Sequence, residues 1–194
     1  MSTQRILIVF GTSYGQTAKI AQRMRAVLAE NGFGAAVYDA DDESADMNPY
    51  AFDGILVGGS LIRGGHQRSV RRFVSRHLLR INTMPSGFFS VSASAASREP
   101  RGQADARDAM QRFLTETHWE PDMMTTLAGA ITFTKYSFVT RWIMKRISRL
   151  NGGPTDTSRD HELTDWTHVD EFARRFGRLV AGSKPVELPA GSAH

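Results

Sequence analysis

The sequence predicts an α/β fold, a doubly wound sheet of five parallel strands in a single domain over residues 1–182. Short apolar runs alternate along the chain with amphipathic helical patterns, and polar residues do not interrupt the runs. Uninterrupted apolar runs are typical of strands that helices cover on both faces, as in parallel sheets. The length of 194 residues is enough for one such domain with an insertion.

Each predicted strand is a short apolar run next to a loop. The first run, Arg5–Phe10, is rich in branched aliphatic residues, and Gly11 ends it. The third run ends in Gly58 in the same way. The strands are predicted at residues 5–10, 35–38, 54–58 and 86–92, and the fifth lies within 124–133.

The predicted helices have apolar residues at every third or fourth position. In the first helix Ile20, Met24 and Val27 lie on one face, and Gly32 marks the end. The helices are predicted at residues 16–31, 67–81, 105–117 and 165–181.

Residues 134–164 are longer than a connection from the fifth strand to the last helix requires, and we interpret them as an insertion. Within it, residues 136–150 have the pattern of an amphipathic helix, with Trp142 on the apolar face and cations on another. Residues 183–194 contain two prolines and a glycine and are predicted to be a loose tail.

The composition excludes several kinds of chemistry. The chain has no cysteine, which excludes disulfides, thiolate nucleophiles and cysteine-bound metal clusters. The six histidines show no spacing typical of a metal site, and we predict none. No apolar run is long enough to span a membrane, and the first residues do not resemble a signal peptide. We therefore expect a cytoplasmic protein in which redox chemistry requires a bound cofactor.

The positive charge is concentrated in two stretches of the chain. The formal net charge is +4, but residues 61–80 contain six arginines and residues 135–150 contain five cations, with no acid in either stretch. Such clusters favour a phosphate, a carboxylate or an anionic membrane as partner. The alternative is two solvated helix faces. Aromatic residues do not alternate with the cations as in nucleic-acid platforms, so we expect no nucleic-acid partner.

A small polar loop connects the first strand to the first helix. It lies at a helix N-terminus, where free backbone N–H groups and the helix dipole favour an anion. The alternative is a polar turn that only caps the helix. The candidate residues for a phosphate are Thr12, Ser13, Tyr14, Gly15, Gln16 and Thr17.

The spacing of this loop excludes the common nucleotide motifs. In a nucleoside triphosphate loop a lysine follows the second glycine, whereas here Gln16 follows Gly15. No Gly-x-Gly-x-x-Gly motif follows a strand, which excludes a dinucleotide loop. A mononucleotide phosphate is therefore the predicted ligand.

The segment Thr12–Thr17 resembles the FMN phosphate loop of flavodoxins. Further motifs extend the resemblance to one branch, the menaquinone-dependent protoporphyrinogen oxidases (protoporphyrinogen IX dehydrogenases) and their flavodoxin-domain relatives. The motifs occur in the family's order within residues 6–181. They are Gly58–Ser60, Asn82–Ser86, Phe88–Val91, Trp119–Asp122, Ala128–Ala130, Gly152–Thr157 and Thr164–Trp166.

This resemblance implies a flavodoxin-like sheet with the strand order 2-1-3-4-5, the amphipathic helical insertion after the fifth strand, and FMN at the carboxyl edge. The loops after the third and fourth strands would flank the isoalloxazine ring of FMN. The implied ring contacts are Ser60, Leu61, Ser90, Val91 and Ser92.

The resemblance also implies an enzyme that oxidises protoporphyrinogen IX to protoporphyrin IX and passes the electrons to menaquinone or ubiquinone. Because the flavin performs the redox step, no catalytic acid or base is assigned. Arg63 and Arg68 are candidates for contacts with the propionates of the tetrapyrrole. The basic helix at 136–150 is predicted to bind the inner face of the cell membrane peripherally; the alternative is that its apolar face packs on the domain.

Two departures from the flavodoxin pattern leave other functions open. The third loop, Leu61–His66, has no aromatic residue to stack on the flavin unless His66 takes that place, and a histidine that opens a helix is more often at the surface. The chain is basic, whereas electron-carrier flavodoxins are acidic. The alternatives are an electron carrier for a protein partner and an NAD(P)H:quinone reductase. The absence of a second nucleotide loop counts against the reductase.

Overall fold

Five parallel strands form the central sheet of the computed structural model, in the order β2-β1-β3-β4-β5. The strands are β1 (Arg5–Gly11), β2 (Gly34–Asp39), β3 (Gly54–Ser60), β4 (Ser86–Ser92) and β5 (Met123–Ala128). The structure describes residues 3–42, 47–62, 64–97, 99–131, 133–135 and 156–183, together with Trp142, Arg146 and Arg149. The predicted α/β class, parallel pairing and strand order are confirmed.

In the described ranges, four longer helices cover the two faces of this sheet. They are α1 (Gln16–Glu30), α2 (Arg68–Ile81), α3 (Pro100–Thr117) and α4 (Trp166–Gly182). Phe89 of β4 packs with residues of α1 and α4, whereas its neighbour Phe88 packs with residues of α2 and α3. Successive strand side chains point to opposite faces, so β4 contributes to both cores.

The helix boundaries agree closely with the predicted ones, except at the start of α3. This helix begins at Pro100, whereas the sequence predicted a start near Asp105. Proline suits a first turn because the N–H group that it lacks has no intrahelical acceptor there. Gly102 and Ala106 form the buried face at the start of the helix. Because both are small, the sequence shows no clear helical pattern of large apolar residues there.

The chain after β5 forms two short strands that periodicity did not predict. β6 (Ala130–Ile131) pairs antiparallel with β7 (His161–Glu162). The two ends of the segment that connects these strands therefore lie next to each other. The bounds of the predicted insertion, residues 134–164, stay a prediction. Most of the predicted helix at 136–150 and all of the predicted tail beyond Ser183 lie outside the described residues.

The parallel register brings the ends of β1, β3 and β4 to one level. Gly11 pairs with Gly59, and Gly59 pairs with Ser90. At Gly58, a Cβ atom would collide with the phenyl ring of Phe89. Only glycine allows the phenyl ring to approach β3 so closely, and this packing holds the third and fourth strands together just before their loops begin.

Candidate functional site

Loop 1, Thr12–Gly15, connects β1 to α1 at the carboxyl edge of the sheet. Gly15 is the N-cap residue of α1 and has a left-handed conformation (φ 93°), which glycine adopts without strain. No side chain caps the helix, and the N–H groups of its first turn have no intrahelical acceptor. The Gly15 N–H donates to Oγ1 of Thr12 at 2.9 Å, which closes the loop beside this helix end.

Thr17, in the first turn of α1, has a buried hydroxyl without a hydrogen-bond partner in the described part of the chain. The residue is 1% exposed. Buried hydroxyls are nearly always paired, so this orphaned oxygen indicates that a ligand group belongs there. A phosphate fits the position, because it accepts hydrogen bonds from hydroxyl and N–H groups and its charge is favoured by the helix dipole.

Gln16 connects loop 1 to the chain that follows β5. It is buried, and its Nε2 donates to Oγ1 of Thr164 at 2.9 Å. The Thr164 hydroxyl donates in turn to the carbonyl oxygen of Ala128 at 2.8 Å. Lys19 of α1 forms an ion pair with Glu162 of β7 at 3.3 Å. These contacts anchor the start of α1, and the Gln16 amide nitrogen is already engaged by the protein.

Loop 3, residues 61–67, follows β3 and forms a tight turn. Its start is attached to β4, because the Leu61 N–H donates to the Val91 carbonyl oxygen at 2.7 Å. Ile62 and Gly65 exchange both backbone hydrogen bonds, at 2.9 and 3.0 Å. Gly64 has a left-handed conformation (φ 82°), which this turn requires. The turn keeps the backbone of loop 3 at the carboxyl edge.

Gln67, the last residue of loop 3, connects that loop to loop 1. Its Nε2 donates to Oγ of Ser60 and, at 3.2 Å, to Oγ of Ser13. Its Oε1 is buried and has no hydrogen-bond partner among the described residues. Ser13 belongs to the predicted phosphate site and Ser60 to the predicted ring site, so one side chain contacts both halves of the site.

Loop 4, Ala93–Ser97, follows β4 and is shaped by a serine hydroxyl. Oγ of Ser92 accepts hydrogen bonds from the Ala95 N–H at 3.1 Å and from the Ser94 hydroxyl at 3.3 Å. The Gly129 N–H donates to the carbonyl oxygen of Ser92 at 3.0 Å. The end of β4, where loop 4 begins, is therefore attached to the residue after β5, and the loops of four strands meet at one edge.

His66 belongs to loop 3, but its side chain is buried, and the residue is only 8% exposed. Its Nε2 is 2.9 Å from Oγ of Ser90, and its ring meets Phe88 and Phe113 edge-on, with centroids 5.3 and 5.0 Å apart. The expectation of a surface histidine, or of one stacked on the flavin, is wrong because this aromatic cluster encloses the ring. Burial, with a smaller effect of Arg71, lowers the pKa of His66 to about 4.

The predicted site residues differ in what they offer a ligand. Thr12, Ser13, Tyr14, Gly15, Ser60 and Leu61 are exposed or half-buried, whereas Gln16, Thr17, Ser90, Val91 and Ser92 are buried. The Ser90 side chain contacts His66, and the Val91 side chain enters the core beneath α1 and α4. In this arrangement these two residues have only their backbone to offer to a ring at the edge.

Sequence reasoning missed Gln67 and Thr164 as parts of this site. Gln67 precedes α2 and Thr164 lies shortly before α4, where polar residues are common as helix caps. Their contacts with Ser13 and Gln16 join residues 54 and 148 positions apart. No local pattern reports such contacts; the motif around Thr164 was the one available signal.

Comparison with known proteins identifies the family. The family model described as "Flavodoxin domain" matches residues 7–158. The chain is 34% identical over 177 residues to protoporphyrinogen IX dehydrogenase (quinone) of Escherichia coli, covering 91% of this chain and 96% of that relative. A relative of the same name from Leishmania major is 28% identical over 197 residues, covering 96% of this chain and 83% of the relative.

Solved structures show the same fold. Oxidised Flavodoxin 1 from Bacillus cereus matches with a TM-score of 0.55 at 17% identity, covering 90% of this chain and 98% of that chain. The protein is thus a flavodoxin-type α/β protein, and the predicted cofactor, FMN, is confirmed. The chain belongs to the flavodoxin-domain family and, within it, to the family of the protoporphyrinogen IX dehydrogenases (quinone).

Three residues of the predicted basic helix are described. Trp142, Arg146 and Arg149 are helical and exposed, with Trp142 61% exposed. The residues between them lie outside the described chain, so the predicted separation of an apolar and a cationic face stays a prediction. No helix in the described part of the chain is long and apolar enough to cross a bilayer.

The substitution His66→Gln should make folding less sensitive to acid. The pKa of His66 is about 4 in the folded protein and 6.5 in the unfolded chain, so between these values protons bind to the unfolded chain first. Stability is therefore complete above the unfolded pKa and falls as the pH decreases towards the folded pKa, by about 3 kcal/mol in total. Urea unfolding at pH 7 and pH 5 measures the difference, which should be about 2 kcal/mol smaller in the variant.

The matched control is His168→Gln, which replaces an exposed histidine on α4 and should keep the pH dependence of the unchanged protein. If the unchanged protein and His66→Gln lose the same free energy of unfolding between the two pH values, His66 is not held neutral by burial.

Proposed function

We propose that the protein oxidises protoporphyrinogen IX to protoporphyrin IX, with FMN as redox cofactor and a membrane quinone as electron acceptor. The observation that carries this proposal is the 34% identity, over 91% of the chain, with a relative named for that reaction. The fold supports it, because the sheet register brings the loops after β1, β3 and β4, which we assign to the phosphate and the ring, to one edge.

Loop 1 and the first turn of α1 would hold the phosphate of FMN. The free N–H groups of that turn and the hydroxyls of Thr12, Ser13 and Thr17 are the donors. A hydrogen bond to a charged group contributes about 1.5–3 kcal/mol, so several neutral donors can hold a phosphate without a lysine. Bound FMN supplies the redox chemistry, taking hydride equivalents from the reduced tetrapyrrole and passing electrons to the quinone.

Loops 3 and 4 would position the ring of FMN. The half-buried Ser60 and Leu61 lie at the end of β3, and the buried Ser90 and Val91 leave their backbone at the end of β4. The apolar sheet behind these loops is closed to water. The chain therefore binds and orients the cofactor, and its exposed edge admits the two substrates.

Two arginines at this edge would orient the tetrapyrrole. Arg68 is exposed in the first turn of α2, directly after loop 3. Arg112 is exposed on α3 and donates through Nη2 to the Gly64 carbonyl oxygen at 3.5 Å. Guanidinium groups suit carboxylates, so both are placed to meet the propionates. Arg63, the other candidate from the sequence, lies outside the described residues.

The segment 136–150 would dock the enzyme peripherally on the inner face of the cell membrane, where the quinone is dissolved. The segment exposes a tryptophan, Trp142, and two arginines, Arg146 and Arg149, and this combination suits the membrane interface. Each cation near an anionic surface contributes about 1 kcal/mol, so the five cations of residues 135–150 would give reversible binding.

Anaerobic turnover separates this function from its alternatives. The purified flavoprotein should oxidise protoporphyrinogen IX catalytically with a menaquinone analogue as acceptor, and it should not turn over with NADPH and the same quinone. Porphyrin fluorescence and quinone absorbance measure the two reactions. Turnover with NADPH would favour a quinone reductase, and slow electron exchange with both pairs would favour an electron carrier.

The substitution Thr17→Asp should abolish FMN retention, because it removes a phosphate donor and places a carboxylate against the phosphate. We expect the FMN affinity to fall at least about 100-fold, the size of one charged hydrogen bond plus repulsion. Flavin fluorescence titration measures the affinity.

Thr17→Asn is the matched control for the size of the aspartate. It should weaken FMN binding less than Thr17→Asp, and neither change should alter riboflavin binding strongly, because riboflavin has no phosphate. An unchanged FMN affinity in Thr17→Asp would show that loop 1 is not the phosphate site.

Reversing three charges in the segment 136–150 should release the protein from anionic vesicles. The variant carries Arg141→Glu, Lys145→Glu and Arg149→Glu, and the loss should be roughly 100-fold or more in vesicle partitioning. Flotation with phosphatidylglycerol-containing vesicles at low salt measures it. FMN should stay bound, because the flavin loops lie elsewhere in the chain.

A matched variant reverses three exposed arginines of α2 and α3, namely Arg72, Arg76 and Arg107. It has the same net charge as the first variant and should still float. Release of both variants to the same extent would indicate a general charge effect, and no flotation of the unchanged protein would contradict membrane docking.

A further inference from the structure

Gln67 contacts both halves of the proposed FMN site. Its amide nitrogen has two protons, and its Nε2 donates both to Oγ of Ser13, at 3.2 Å, and to Oγ of Ser60. Exchanging the amide nitrogen and oxygen would keep both contacts, because hydroxyls donate as well as accept hydrogen bonds. The bridge is therefore a property of the side chain's position between the two loops.

The surroundings of Gln67 leave its side chain little room to move. Its Oε1 is buried, and it lies 3.2 Å from where a Cβ atom would stand at Gly11 and 3.6 Å from the same point at Gly59. The amide thus occupies the space that two glycines leave open at the ends of β1 and β3. A confined side chain transmits a displacement of one serine to the other.

We propose that Gln67 is a positioning residue that couples the phosphate half of the FMN site to the ring half. The inference rests on the proposal that loops 1 and 3 hold FMN. A phosphate in loop 1 orients Ser13, and Gln67 then holds Ser60 in the orientation that the ring requires. Such coupling is reciprocal, so a ring bound at loop 3 also favours a phosphate in loop 1.

The coupling adds to the selectivity for FMN. Riboflavin has the ring but no phosphate, so it meets a ring site that loop 1 has not ordered. FMN fills both halves, and its affinity therefore exceeds that of riboflavin by more than the direct phosphate contacts provide.

Riboflavin and inorganic phosphate test this inference because they fill the two halves separately. Riboflavin is titrated into the full-length protein, freed of flavin, with and without inorganic phosphate, and flavin fluorescence gives the affinity. Phosphate should raise the riboflavin affinity of the unchanged protein about 5-fold or more, within the usual range for coupled sites. In Gln67→Leu the riboflavin affinity should not depend on phosphate.

Two further variants make the result specific. Gln67→Met removes the same hydrogen bonds with an unbranched side chain and should also abolish the coupling, and it decides the question if Gln67→Leu does not fold. Gln4→Leu is the matched control, because Nε2 of Gln4 donates to the Val180 carbonyl oxygen at 3.0 Å at the opposite edge of the sheet. This control should keep the coupling of the unchanged protein.

Two results would overturn the inference: coupling that persists in both Gln67 variants, or no coupling in the unchanged protein while Thr17→Asp abolishes FMN binding. Full FMN affinity in Thr17→Asp would instead show that the proposed phosphate site is wrong, and the role of Gln67 would be rejected with it. The failure of the site and the failure of the coupling are therefore distinguishable.

Discussion

The candidate site depends on the parallel register of β1, β3 and β4. Gly11 of β1 pairs with Gly59 of β3, and Gly59 pairs with Ser90 of β4. The loops that follow these three strands therefore begin at one level. Apolar residues of β1, β3 and β4 are buried on both faces of the sheet, and the polar side chains of the candidate site lie at or near this edge. A shift of one residue in β3 would exchange its two faces, remove Gly58 from Phe89 and separate Ser60 from Gln67. The packing of the sheet thus decides the geometry of the loops.

Neutral donors and cations have separate positions in this protein. Loop 1 offers backbone N–H groups and hydroxyls, and the nearby Lys19 is engaged by Glu162. Loop 1 itself contains no arginine, and exposed arginines near the same edge lie on neighbouring helices, such as Arg68 on α2 and Arg112 on α3. A helix end with neutral donors suits a small phosphate that stays bound, whereas exposed guanidinium groups suit carboxylates and lipid headgroups that exchange. This separation fits an enzyme with a resident cofactor and an anionic substrate.

The buried side chain of His66 anchors loop 3 to the protein core. His66 stays neutral because Phe88 and Phe113 surround it, and its bond to Ser90 satisfies two buried polar groups at once. A charged imidazole in this cluster would be poorly solvated. Gln67, the next residue, connects the same loop to loop 1. In the sequence, His66 and Gln67 resemble ordinary polar residues at the start of a helix. In the structure both have contacts that shape the site.

The sequence alone determined the strands and the helices, because apolar periodicity is a local feature that one stretch of chain displays completely. It also predicted the family, through motifs distributed along the chain, and that resemblance implied the strand order that the structure confirms. The phosphate-binding role of loop 1 stays a prediction. The tertiary structure decided the contacts and the burial of individual side chains, since these involve residues far apart in the sequence. The Gln67–Ser13 and Gln16–Thr164 contacts, the burial of His66 and the exposure of Trp142 depend on how elements pack. Periodicity states which residues share a face of one element; tertiary packing decides what that face meets.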